Sequence, residues 1–136
     1  MRTLASQIRR FKKETDKRIL KGKQNIAGAI LYYLGNETPV DTSNAMSNWV
    51  VSLGTAKARL IPPHFAGVDG STAPQSLGAM MSQGLAIIRR AKVGEAVFIT
   101  NSVYYLYWLN RGHSLQADAY FIEDVTQQAI ERNKDI

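Results

Sequence analysis

Leu4, Ile8, Phe11, Thr15, Ile19, Gly22, Ile26, Ala29 and Tyr33 recur at intervals of three and four. That spacing lines them up along one side of a helix. It predicts a single helix over residues 3–34, with Gly35 as its C-terminal stop. Gly22 and Gly28 each weaken it by about 1 kcal/mol relative to alanine, and a bend is expected near Gly22. At about 1.5 Å per residue the helix is about 45 Å long. A compact domain of this size is about 30 Å across, so part of the helix is expected to project.

Beyond it the pattern changes. ETPVDTS (37–43) reads as a turn leading into a short helix, with Asp41 or Thr42 accepting from its first free N–H groups. NWVVSL (48–53) alternates as a strand does, with Trp49, Val51 and Leu53 on one face and Val50 and Ser52 on the other. Residues 55–73 carry Pro62-Pro63 and GVDGST and read as a long irregular loop, with a brief edge strand at Lys57–Ile61. Loops of this length are uncommon without a role, and this one is expected to reach a neighbouring subunit and to order on docking. Residues 74–91 predict a helix with Pro74 at its start and Leu77, Met80, Met81, Leu85 and Ile88 inward. Residues 95–100 predict a second strand. Asn101-Ser102 is expected to cap a short aromatic helix over 103–111, which leaves through Gly112. Asp118 is expected to cap a last helix ending near Lys134. The result is one α+β domain over 1–136: a long projecting N-terminal helix (1–34), then a body (35–136) with a small antiparallel sheet packed by helices.

Charge sharpens this picture. The net charge is +6, and residues 2–23 hold nine Lys or Arg against Glu14 and Asp16 alone. Arg9, Lys13, Lys17 and Lys21 follow each other at i, i+4 along one edge. Three such like-charge pairs cost about 1 kcal/mol, which a Glu14–Arg18 pair offsets in part. The stripe is either a solvated face or the seat of an anionic partner, DNA phosphate or acidic protein. Any DNA contact is expected to be non-specific and salt-sensitive, because no aromatic or amide side chain interleaves the stripe to read bases. The chain has no cysteine, which removes disulfides and thiolate chemistry. It has no apolar run long enough for a membrane span and no apolar signal-peptide segment at its start.

Tyr104, Tyr105, Tyr107 and Trp108 crowd five positions. At about 100° per residue they cannot share a face: Tyr104 goes with Trp108, and Tyr105 with Leu109. The readings are core, a stacking platform, or one side in the core and the other against a neighbour, and the last is preferred. Arg111 and His113 flank the Gly112 corner, either as polar contacts or as cations at a helix end. His64 and His113 are isolated, so no metal site is expected. No phosphate-cradling loop or nucleophile elbow is present, and the expectation is a protein without catalytic activity or cofactor.

Two stretches carry a resemblance. Thr38-Pro39-Val40-Asp41-Thr42 followed by Asn48-Trp49 and VVSLG is the first. AKVGEAVFITN, then Tyr104-Tyr105, Leu109-Asn110-Arg111-Gly112-His113-Ser114 and Gln116-Ala117 is the second. Together, from about Asn25 onward, they resemble the neck (head–tail joining, tail-completion) proteins of long-tailed double-stranded DNA phages. The chain departs from that pattern at Asn110, where an acidic residue is common, and at Ala117-Asp118, where Ala-Pro is common.

The resemblance implies a structural virion protein, assembled in the host bacterial cytoplasm as a homo-oligomeric ring, hexamer or dodecamer. It implies a place in the neck, between the head connector or head-closure protein and the tail terminator or tail tube, around the DNA channel, with no membrane contact. On this reading Arg9, Lys13, Lys17 and Lys21 meet channel DNA or an acidic ring. Thr38, Pro39, Val40, Asp41, Thr42, Tyr105, Trp108, Arg111 and His113 meet neighbouring subunits or partners. The alternative is a small basic DNA-binding regulator acting through the N-terminal helix.

Overall fold

The computed structural model describes residues 3–112, 114 and 116–134. Helix α1 runs unbroken over Leu4–Glu37. Thr3 starts it, its hydroxyl accepting from the Ser6 N–H at 3.1 Å. It passes through Gly35, the expected stop, and ends two residues later, because Gly35 serves packing here: a Cβ there would run into Met80 and lie 2.7 Å from Leu77. The chain turns only at Thr38, whose N–H still bonds the Leu34 carbonyl at 3.0 Å.

Helix α2 (Asn44–Ser47) follows, then strand β1 (Val50–Leu53), helix α3 (Ala73–Ile88) with Pro74 in its first turn, strand β2 (Val97–Thr100), helix α4 (Leu106–Asn110) and helix α5 (Phe121–Asn133). The fold is α+β, with β1 and β2 paired antiparallel as a two-stranded sheet in the register Val51↔Ile99 and Leu53↔Val97. Lys57–Ile61 joins no ladder. None of Asp41, Thr42 and Asp118 caps a helix: the residue before α2 is Ser43 and the residue before α5 is Tyr120, both in the left-handed region. The end of α4 supplies the missing cap, where Asn110 Oδ1 accepts from the Ile122 N–H at 2.9 Å.

The face of α1 that enters the core differs from the stripe picked out by spacing. Ala27, Leu31, Leu34 and Gly35 are buried, together with Gly22, whereas Leu4, Ile8, Phe11 and Ile19 are exposed. Residues 26–35 of α1 carry no charged or amide side chain, and α1 packs on both α3 and α5, so no single stripe identifies its inner side. Gly84 lets α3 approach α1: a methyl there would collide with Leu31 and lie 3.1 Å from Val51. Met80, Ile88, Trp49, Val103, Leu106, Phe121 and Val125 complete the core.

Candidate partner-binding surfaces

The first half of α1 stands clear of the core. From Thr3 to Glu14 every residue except half-buried Ser6 is exposed. The helix is clamped to the body further along, where Lys23 Nζ donates to the Glu95 carbonyl and Gln24 Nε2 to the Ile88 carbonyl. Leu4, Ile8 and Phe11 are 72%, 58% and 67% exposed, so they form an apolar ridge without cover. Arg9, Lys13, Lys17 and Lys21 are exposed on the other side of the same helix. Among the described residues the ion pairs are Arg10–Glu14, Lys12–Asp16 and Lys134–Glu131. Glu14 therefore turns back to Arg10 rather than forward to Arg18, and the four stripe cations enter none of these pairs.

The turn after α1 divides. Thr38 and Val40 are buried. The Thr38 hydroxyl donates to the Leu34 carbonyl and accepts from Trp49 Nε1 at 2.8 Å. Val40 exchanges both backbone bonds with the side-chain amide of Gln116, at 2.7 and 3.0 Å. These two residues hold the turn in place, and their side chains are no contact surface in the free chain. Asp41 and Thr42 are exposed and Pro39 half-exposed. Asp41 Oδ1 accepts from the Asp69 N–H at 2.6 Å, and its carbonyl accepts from the Gly70 N–H at 2.9 Å.

The long loop is fastened to the body by buried polar side chains. Asn48, fully buried, accepts from the Ile61 N–H at 2.8 Å and donates to the Ile61 carbonyl at 3.0 Å. Ser47 Oγ accepts from the His64 N–H, and Ser76 Oγ from the Phe65 N–H, at 3.0 and 3.1 Å. Order in this loop thus has a source within the chain. Leu60, Phe65 and Val68 still point outward, 67%, 50% and 67% exposed. Partial burial lowers the pKa of His64, since desolvation disfavours its charged form.

At the aromatic corner the two sides separate as the helical spacing requires. Leu106 is buried, and Tyr105 and Leu109 pack on the core, with the Tyr105 hydroxyl accepting from Asn44 Nδ2 at 3.0 Å. Tyr104, Tyr107 and Trp108 are exposed, the last two edge to face with ring centroids 5.1 Å apart. The Arg111 guanidinium lies 4.2 Å from the Tyr107 ring centroid, within cation–π range. Gly112 takes φ +96°, the left-handed exit expected of it. His113 lies outside the described residues.

A groove that sequence spacing did not reveal opens at the C-terminal end of α1. It has a volume of about 450 Å³, and its lining includes Val40, Met46, Pro74 and Leu77, with Glu37 and Asp69 also on its wall. Its parts come from α1, the following turn, α2, the loop and α3, so only the fold assembles it. No group of three or more His, Asp or Glu among the described residues is placed to hold a metal. None of the described helices is long and apolar enough to cross a membrane. The structure thus defines an α+β chain with a clamped helix, an uncovered amphipathic extension and an exposed aromatic corner. No protein-family model, curated protein or solved structure matches it.

Proposed function

We propose that this chain is a structural neck protein of a long-tailed DNA phage, joining the DNA-filled head to the tail as a ring around the channel. The carrying observation is the first half of α1, where an apolar ridge stands outside the body and an exposed basic stripe runs along another side, its Arg9, Lys13 and Lys17 lining a pocket beside Val93. An uncovered ridge of this kind marks an interaction surface. A run of cations that takes no internal carboxylate partner suits an anionic one. The resemblance of the 38–54 and 91–117 segments to neck proteins selects this reading among binding proteins. In it the chain works by binding and not by catalysis. The basic stripe faces the channel DNA or an acidic ring, and Tyr104, Trp108 and Arg111 meet the adjoining component.

A stop codon early in the gene tests this in particles produced by its genome. Separate filled heads and finished tails are expected. Intact particles in normal yield would overturn the proposal. A regulator, the competing reading, would instead bind one DNA sequence strongly as a discrete dimer. The neck reading predicts sequence-independent binding whose log affinity falls with log salt at a slope of about −3 to −4, if all four stripe cations meet phosphates.

A further inference from the structure

We infer that copies of this chain join head to tail, the N-terminal apolar ridge of one seating in the groove at the C-terminal end of α1 of the next. The inference rests on the neck reading and names the contact that would build its ring. Ridge and groove match in chemistry. Val40, Met46, Pro74 and Leu77 line the groove beside the carboxylates of Glu37 and Asp69 and the amides of Asn36 and Gln116. Lys12, which also pairs with Asp16 at 3.1 Å, borders the ridge of Leu4, Ile8 and Phe11 on one side, and Arg18 continues its other side about two turns beyond Phe11, counting about 100° and about 1.5 Å per residue. The groove also lies at the carbonyl end of α1, where the helix dipole adds negative potential and no basic residue occupies the last turn.

Reach excludes the same contact within one molecule. Phe11 and Glu37 sit on one unbroken helix, about 40 Å apart at about 1.5 Å per residue. Charge disfavours the symmetric alternative, two copies pairing ridge to ridge, because that sets two strongly basic helix halves side by side. A ridge and a groove at opposite ends of each copy make a heterologous contact, which closes into a ring when its rotation allows. The stripe of Arg9, Lys13 and Lys17, on the other side of the helix, then faces away from the contact and stays open to the anionic partner.

Native mass spectrometry and sedimentation of the full chain test the contact. Wild type is expected to form oligomers, and Phe11→Glu to weaken association about tenfold or more, the effect of losing one buried aromatic anchor. Lys12→Glu/Arg18→Glu and Glu37→Lys/Asp69→Asn should each assemble poorly alone, with circular dichroism unchanged. Mixed together they should assemble again, since acidic ridge then meets basic groove and the reverse. A wild type that stays monomeric, with or without binding to anionic vesicles, overturns the inference, as does a dimer indifferent to Glu37→Lys/Asp69→Asn, or a mixture that does not recover. A monomeric wild type combined with the stop-codon phenotype would sink this contact and leave the neck reading standing.

Discussion

Asn48 ties the end of α2 to the long loop. Its amide fixes both backbone groups of Ile61 and reaches back to the Asn44 carbonyl at 2.8 Å. Asn48→Ala leaves those groups buried or half-buried without partners, so a loss of about 2–4 kcal/mol is expected by chemical denaturation. Faster proteolysis between residues 55 and 66 should accompany it, and unchanged cleavage there would contradict the role assigned to Asn48. Trp49→Phe removes a bond to Thr38, which keeps Leu34 as a partner, and shrinks a buried core ring, so a loss of about 1–3 kcal/mol follows. At Gly84 the constraint is space. Gly84→Val forces α1 and α3 apart at Leu31 and should cost about 1–3 kcal/mol in a thermal or urea melt. Gly84 and Asn48 carry no periodic signal, so spacing alone leaves their roles unread. A buried asparagine and an interhelical glycine reveal themselves only when the partner elements are in place.

Among elements, α1 is two things in one helix. Residues from about Gly22 onward are built into the body, and those before about Thr15 are not. Removal of residues 1–14 is therefore expected to leave a cooperative unfolding transition nearly unmoved and to abolish oligomers. A truncated chain that fails to fold would show that the exposed half stabilises the body. The existence, order and type of α1, α3, β1, β2 and α5 were legible from hydrophobic spacing and from Pro74, and Gly112 from turn chemistry. The caps were not, because α5 takes its cap from Asn110, a residue of another helix. The inward side of α1 was hidden by a second half flanked by α3 and α5, whose apolar residues run round the helix. The longest stripe in the sequence turned out to be partly the outer ridge. Asn110→Ala tests the cap on α5: about 1 kcal/mol should be lost.

For the whole molecule, the distribution of charge and apolar surface matters more than any single contact. The basic excess lies at one end of α1, and the acidic groove wall of Glu37 and Asp69 lies at the other. The basic stripe was readable as a run of like charges. The groove was not, since Glu37 and Asp69 are brought together only by the turn, in which Asp41 holds the Asp69 backbone. Imaging of the intact phage particle tests the central claim most directly. A closed ring of this chain at the head–tail junction, encircling DNA, is the predicted result. Particles whose neck density contains no copy of the fold, with the chain absent from the purified virion, would contradict it.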